Sequence, residues 1–411
     1  MTHPEITYSR EMGLTHDDFW RLLPRAMGEH SYQIEGNIVS ARVSGGSLKI
    51  TLGPIQERRI ALLRLPFAEV SFVFNDISEQ DQMAFKTHFD LHFRDQFDRP
   101  LRDLRISVTD RCNFRCVYCM PKSVFNKDYK FLPKSELLTF EDIERVVRAS
   151  ADLGVTKIRL TGGEPLVRRD LERLVNKICR VEGINDVSMT TNASLMTRDR
   201  ARSLHDAGLQ RLNVSLDALD DETFKRVNDV DIGVQSVLDG IQHAADAGFE
   251  SVKVNMVVKK GLNDHCILPM AKFFHGTGQI LRFIEFMDVG NSNAWNLSHV
   301  TTSQEIADLI NAELPIKPAK ANYRGEVAKR WEYNDGGGEI GIISSVSDPF
   351  CGDCSRARLS ATGSIYTCLF ASSGHDIRPA LQSKDDSHRG RTTLTLCKTN
   401  TNTRKVQYSA R

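Results

Sequence analysis

Six of the nine cysteines fall into two groups of three. Cys112, Cys116 and Cys119 lie in DRCNFRCVYCMPK, with C-x3-C-x2-C spacing. Thiolates this close in a turn can converge on one soft metal centre. A 4Fe–4S cluster normally takes four thiolates, so three would leave one iron open. An open coordination position distinguishes a reactive metal site from a closed structural one. Zinc would want a fourth cysteine or histidine, and both His92 and the next cysteine are remote in sequence. A redox C-x2-C pair leaves Cys112 unexplained. Cys351, Cys354 and Cys368 form the second group, C-x2-C-x13-C, in DPFCGDCSRARLSATGSIYTCLF. On spacing alone a closed zinc site competes here, with Cys397 as a fourth ligand. Arg356 and Arg358 follow the C-x2-C directly. Alternate residues of a strand point the same way, so the two arginines would set cationic forks beside the metal, suited to phosphate. Cys179, Cys266 and Cys397 otherwise read as packing or surface residues.

Two further features carry chemistry. In LTGGEP, Gly162 and Gly163 let backbone approach a ligand closely, and strand-end carbonyls can accept from an ammonium group. Arg105, Lys157, Arg159, Lys253 and Arg282 lie inside predicted strands, where unpaired cations are normally excluded. A triphosphate in a common cavity would explain them together. Pairing with carboxylates such as Glu164, Asp217 or Glu285 is the alternative.

The elements that must position these groups follow a rhythm of strand, loop and helix from Leu104 onward. Strands are expected at 104–109, 157–162, 186–191, 211–217, 252–258 and 281–286, with helices at 140–153, 170–181, 197–206, 221–227, 235–247 and 265–275. Six βα repeats imply a parallel sheet with covering helices, doubly wound or curved into a barrel. Catalytic groups then belong at the carboxyl ends of the strands. Residues 1 to about 95 read as a small α+β unit. It has a helix over 16–27, short alternating segments (SYQIEG, NIVSARV, SLKITL, RRIALLRL, EVSFVF) and a closing helix over 79–94 that repeats Phe85, Phe89 and Phe93 on one face. DRPLRD (98–103) reads as a linker, and the region from about 300 as a further β-rich part. The last thirty residues are polar and threonine-rich, the composition of a disordered tail.

Composition narrows the classes. Over 411 residues, 54 lysines and arginines nearly cancel 53 aspartates and glutamates. A net charge of +1 argues against a dedicated nucleic-acid or anionic-membrane binder. No apolar run approaches the ~20 residues of a membrane span. The N-terminus lacks the basic-then-apolar plan of a secretory signal, and nine cysteines are too few for a disulfide scaffold of this length. A cytoplasmic chain of two or three domains is expected.

The first cysteine group, with Tyr118 as the aromatic before its third cysteine and LTGGEP one strand later, resembles the radical S-adenosylmethionine (SAM) superfamily. There the open iron chelates SAM, and electron delivery releases a 5′-deoxyadenosyl radical. RDLRISVTDRCNFRCVYCMP, KIRLTGGEPLVRRDL, LNVSLDALD, VKVNMVVKKGLND, RFIEFMDVGN, GEVAKR and CGDCSRARLSATGSIYTCLF together resemble the GTP 3′,8-cyclases of molybdenum-cofactor biosynthesis over roughly residues 98–380. That resemblance implies an α/β fold: an incomplete (β/α)6 TIM-like barrel (98–300), a C-terminal β-containing cluster and substrate region (301–380), a polar tail (381–411) and an appended α+β domain (1–97). It implies SAM and two 4Fe–4S clusters, one on Cys112, Cys116 and Cys119 and one on Cys351, Cys354 and Cys368. Tyr118, Gly163, Ser215 and Met287 would contact SAM. Arg105, Arg159, Thr190, Lys253, Arg356 and Arg358 would contact GTP, with Lys157 and Arg282 as further candidates. The cluster 1 cysteines, Arg356 and Arg358 would be the catalytic residues. The implied reaction abstracts the ribose 3′ hydrogen of GTP and joins C3′ to C8, giving 3′,8-cyclo-7,8-dihydro-GTP. Implied partners are GTP, a downstream cyclic pyranopterin monophosphate synthase, a flavodoxin or ferredoxin as electron donor, and a second copy in a homodimer. Two departures stand beside it: the N-terminal unit, and a terminus VQYSAR where the family ends in a glycine pair. They keep open a radical SAM enzyme acting on another substrate, such as a peptide, and a non-catalytic GTP-binding homologue.

Overall fold

Strand residues that alternate apolar and polar, joined by helices with one apolar stripe, fold into a parallel sheet with one face covered. The computed structural model describes residues 8–12, 16–60, 63–92, 101–249, 252–287, 295–323, 325–350, 354–369, 371 and 374–382. The N-terminal part comprises β1 (Tyr8–Met12), α1 (His16–Met27), β2 (Tyr32–Glu35), β3 (Ile38–Val43), β4 (Gly46–Leu52), β5 (Gln56–Ile60), β6 (Leu63–Asn75) and α2 (Glu79–His92). Its antiparallel sheet runs β1-β6-β4-β3-β2, with β5 also on β6. Phe19, Leu23 and Met27 of α1 and Phe85 and Phe89 of α2 are buried in one core with Val39, Ile50 and Phe72. Phe89 meets Phe72 edge-on, 5.2 Å between centroids.

Three expectations change here. RRIALLRL is not one strand: β5 and the start of β6 are antiparallel partners, so the segment folds back on itself. EVSFVF is the second half of β6, which is 13 residues long. β1 was not anticipated, because YSREM has almost no apolar alternation. Phe93 lies outside the described residues.

The second part follows the predicted rhythm closely: β7 (Asp103–Ser107), α3 (Phe140–Ala151), β8 (Lys157–Thr161), α4 (Leu171–Cys179), β9 (Asp186–Thr191), α5 (Arg198–Asp206), β10 (Arg211–Ser215), α6 (Asp221–Asn228), α7 (Gln235–Asp246), β11 (Val252–Val258), α8 (Ile267–Phe274) and β12 (Ile280–Glu285). Helix starts are set by side-chain caps: Thr139 and Asp142 form a capping box on α3, and Asp220 caps α6. DRPLRD is less of a linker than its composition suggests, since Leu101 is buried and Asp103 opens β7. Then come α9 (Ser303–Asn311), β13 (Ile316–Ala319), β14 (Lys329–Tyr333), β15 (Glu339–Ile343), β16 (Arg356–Leu359), β17 (Ser364–Tyr366), β18 (His375–Asp376) and α10 (Arg378–Gln382).

All strands from β7 onward form one sheet of 12, in the order β13-β14-β15-β12-β11-β10-β9-β8-β7-β16-β17-β18. β7 to β12 are parallel neighbours in sequence order. β15 adds in parallel to β12 and β16 in parallel to β7, so the region after residue 300 extends the sheet at both ends. The barrel is open, with β13 and β18 at its two edges. One contiguous core of strand and helix side chains backs the outer face. Among the described residues no helix is long and apolar enough to cross a membrane. The tail from residue 383, including Cys397, lies outside the described residues.

Candidate active site

Strand alternation decides what lies inside the curve of the sheet. In β7, β8, β11, β12 and β16 every second residue is only half-buried while its neighbours are buried. The half-buried set contains Arg105, Lys157, Arg159, Lys253, Arg282, Arg356 and Arg358. Register confirms the shared face: Arg358 pairs with Arg105, Arg105 with Arg159, and Arg159 with Ser188. Further along, Thr190 pairs with Asn213 and Asn213 with Lys253, while Asn255 pairs with Arg282. Asp103, Asp186, Ser188, Arg211, Asn213 and Asn255 belong to the same inner face and were not singled out from sequence. The period-two alternation of DVSMTT, RLNVS and VKVNM was the signal that would have found them.

These cations crowd one another. Burial, then Arg159, Arg358 and Arg356, push the Arg105 guanidinium well below its ordinary pKa. Burial and Arg356 bring Arg358 down to about 10. Burial, then Arg282, Arg211 and Lys157, bring Lys253 down to about 8. All three shifts have the cause expected of charges taken from water and set among like charges. The carboxylates proposed to neutralise them do not. Glu164 accepts from Leu166 N, Thr191 Oγ1 and Asn192 N at 3.0, 2.6 and 2.7 Å. Asp217 accepts from Tyr118 OH and Val257 N, and Glu285 from Ser303, Val346 and Ser347. The nearby partners are instead Asp186, 3.3 Å from Lys157 and bonded to Arg211, and Asp103, 3.9 Å from Arg105. Among the described residues the Nε of Arg105 and of Arg159 are buried without a hydrogen-bond partner. Orphaned cationic donors on an inner face suit a polyanion.

The first cysteine group sits on the loop after β7, at the carboxyl end of the sheet. The loop is fixed by Arg115 N to Asn228 O (2.9 Å), Val117 N to Val227 O (3.0 Å) and Asn113 Nδ2 to Ser194 Oγ (2.9 Å). Phe114 is buried against Phe224. Tyr118 OH donates to Asp217 at 2.7 Å, binding the loop to the end of β10. Burial lifts the Cys112 thiol to about 11 and Cys116 well above its ordinary value; Cys119 and Cys112 add to the rise at Cys116. Cys119 reaches solvent, yet the surrounding protein desolvates its thiol and, with Asp217, raises its pKa too. Three neighbouring thiols that resist ionisation alone become thiolates together only around a cationic centre. The donor set therefore fits an iron–sulfur cluster.

LTGGEP lies against this loop: Gly163 N donates to Thr109 O and Glu164 N to Arg111 O, each 2.8 Å. A Cβ on Gly163 would fall 2.2 Å from Arg111 O, so only glycine permits this approach. Burial raises the Glu164 carboxyl to about 7 against its three hydrogen bonds. Ser215 ends β10 and Met287 follows β12, both half-buried at the same end of the sheet.

Of the second group, Cys354 and Cys368 are half-buried, and Cys351 lies outside the described residues. Arg356 Nε points at Cys354 Sγ, 3.3 Å away, and its guanidinium covers Phe350 at 4.7 Å. Arg358 is close enough to both thiols for them to favour its charge. Cys179 donates to Gly208 O, a packing contact. Cys266, His265 and Asp220 offer ligand atoms within 4.8 Å of one another. Thr223 engages Asp220 and His265 in a helix-cap network, and the Cys266 thiol faces Asp220 at 3.8 Å.

Residues 106–274 match the family described as Radical SAM superfamily, and residues 279–409 match Molybdenum Cofactor Synthesis C. The second match continues past residue 381, where the motif-level resemblance fades. A protein of Acidothermus cellulolyticus named GTP 3′,8-cyclase is 53% identical over 72% of this chain and 81% of its own length. Proteins of the same name from Staphylococcus haemolyticus and Xanthomonas axonopodis pv. citri are 50% and 51% identical, over 71% and 70% of this chain and 85% and 86% of theirs. Among solved structures, SuiB of Streptococcus suis bound to its precursor peptide SuiA is 16% identical over 77% of this chain and 73% of its own, with a TM-score of 0.52. That likeness shows the fold.

Proposed function

This chain belongs to the GTP 3′,8-cyclase family, and we propose that it converts GTP to 3′,8-cyclo-7,8-dihydro-GTP, the first step of molybdenum-cofactor biosynthesis. One observation carries the reading: eight cations share the inner face of an open sheet with a parallel centre, with a three-cysteine loop at its carboxyl end and two cysteines near its arginine-bearing strand β16. When bound, a reduced cluster on Cys112, Cys116 and Cys119 supplies the electron that splits SAM into methionine and a 5′-deoxyadenosyl radical.

The rest is the work of side chains. Tyr118, Gly163, Ser215 and Met287 would hold SAM at the carboxyl end of the sheet. Arg105, Arg159, Lys253, Arg356 and Arg358, with Thr190 and with Lys157 and Arg282 as further candidates, would hold the triphosphate and orient the GTP ribose. Charge-assisted bonds from a fixed arginine fork set orientation as well as affinity. Cys351, Cys354 and Cys368 would hold a second 4Fe–4S cluster against the guanine. Product would pass to a cyclic pyranopterin monophosphate synthase, and electrons would come from a flavodoxin or ferredoxin, in the cytoplasm where thiols stay reduced. A homodimer is the proposed assembly.

The test is an anaerobic incubation of the iron-loaded protein with SAM, GTP and reductant. Deoxyadenosine and a cyclised GTP are expected in equal amounts. Deoxyadenosine without any GTP-derived product would sink the proposal.

A further inference from the structure

Glu285 is fully buried, yet among the described residues no lysine or arginine pairs with it. Five protein donors surround its carboxylate instead. Oε1 accepts from Ser303 N at 2.6 Å, from Ser303 Oγ at 2.7 Å and from Ser347 Oγ. Oε2 accepts from Val346 N at 2.7 Å and Ser347 N at 2.8 Å. Ser303 is the first residue of α9, so the charge also faces a helix N-terminus. A buried carboxylate is costly unless every lone pair is engaged, and this one is engaged entirely by backbone amides and hydroxyls.

Where those donors come from gives the arrangement its meaning. Glu285 ends β12, the strand that carries Arg282, and lies two residues before Met287. Val346 and Ser347 belong to the segment leaving β15 toward Cys351, which follows Ser347 by four residues. Phe350, in the same segment, lies under the Arg356 guanidinium, and Arg356 Nε reaches Cys354 Sγ. One carboxylate therefore ties β12, which carries Arg282, to the segment that leads in sequence to Cys351 and Cys354.

We propose that Glu285 is a positioning residue that sets the second cysteine group against the sheet, and so the distance between that group and the cation row. The inference rests on the two-cluster reading above. Groups that orient metal ligands through hydrogen bonds typically change metal affinity or activity roughly 10–100-fold when altered. Glu285→Gln keeps the shape but turns one acceptor into a donor facing amides or hydroxyls that also donate. Ser347→Ala removes a single hydroxyl contact and is the milder variant.

Both variants are compared with the parent, loaded anaerobically with iron and sulfide. The readouts are iron per chain, the electron paramagnetic resonance change on adding SAM and on adding GTP, KM for GTP, and amide hydrogen exchange at Val346 and Ser347. Expected in Glu285→Gln are faster exchange at those two amides, a weakened or shifted GTP-induced signal, a KM raised at least roughly tenfold, and a retained SAM-induced signal; Ser347→Ala changes the same quantities less. An unchanged GTP response and unchanged exchange in Glu285→Gln overturn the proposal. If Glu285→Gln loses both signals, Ser347→Ala decides: a selective change in the GTP response supports it, and parent-like behaviour overturns it. A parent that binds about four irons rather than about eight, the content of two thiolate-held 4Fe–4S clusters, overturns the two-cluster reading and this inference with it.

Discussion

If Lys253 holds GTP as proposed, GTP binding should depend on pH in a direction fixed by the surroundings of this lysine. Burial and three neighbouring cations bring its pKa to about 8, against an ordinary 10.5. Below about 8 the ammonium is charged and can pair with phosphate; above it the free protein holds a neutral amine, and GTP must bring a proton with it. One such proton weakens binding by at most about tenfold for each pH unit above the pKa. Between pH 7 and pH 9 the dissociation constant should therefore rise roughly tenfold, nearly all of it above pH 8. Lys253→Met removes a charge-assisted hydrogen bond worth roughly 1.5–3 kcal/mol, a loss of about 10- to 150-fold at pH 7. It should also flatten the pH profile, leaving only the titrations that belong to GTP. The assay is equilibrium GTP binding to the iron-loaded protein without SAM or reductant, so that turnover does not intrude. A parent profile flat to pH 9, or a Lys253→Met profile as steep as the parent's, would refute the reasoning that the cation row holds the triphosphate.

Other consequences can be checked separately. Arg358→Ala should cost roughly 1.5–3 kcal/mol of GTP binding, like any lost charge-assisted contact, and Arg358→Lys should recover only part because one ammonium cannot replace a fork; full recovery in calorimetry would contradict that. Cys354→Ala should lower iron from about eight to about four per chain, since one thiolate-held cluster is lost, and should abolish GTP-derived product; an unchanged iron assay would remove Cys354 from the ligand set. Gly163→Ala forces a Cβ to 2.2 Å from Arg111 O. It should cost roughly 1–3 kcal/mol as an overpacking substitution, seen as a lower Tm of the metal-free protein and poorer iron uptake. An unchanged Tm would mean that the cluster loop yields freely.

How much of this was legible in the sequence depends on the range of the signal. The six βα units were readable because each is local: an alternating run, a capping threonine or aspartate, an amphipathic helix. The first cysteine group was readable for the same reason, with all three ligands within eight residues. The fold-back between β5 and β6 was missed because RRIALLRL lacks the glycine or asparagine that usually marks a hairpin turn. The placement of β15 and β16 was out of reach: nothing local says that a strand at 356–359 lies beside one at 103–107. The inner-face polar residues were half legible. Arginine and lysine in strands were conspicuous, whereas Asn213, Asn255 and Ser188 look ordinary until register aligns them with the cations.

The pairing alternative holds for Asp103 and Asp186 but not for the three acids it named, for a reason that bears on how the site works. Glu164, Asp217 and Glu285 are among the most buried acids of the described chain, and each caps a strand end by accepting from backbone amides or hydroxyls. Their lone pairs are consumed in holding β8 to β9, β10 to the cysteine loop and to β11, and β12 to α9 and the segment after β15. These three acids at strand ends fasten loops, while the cations deeper in the same strands, Arg159, Arg211 and Arg282, face inward. Had these three also turned inward beside Asp103 and Asp186, more of the cations would be neutralised in the absence of ligand, and a triphosphate would have to break those pairs to bind. Leaving guanidinium groups desolvated and in mutual repulsion costs stability before binding, and that cost is relieved when a polyanion enters. The lowered pKa values of Arg105, Arg358 and Lys253 express burial first and that repulsion second. It follows that GTP should stabilise the fold more than its hydrogen bonds alone would suggest. The excess should shrink in Lys253→Met, where one source of repulsion is already gone.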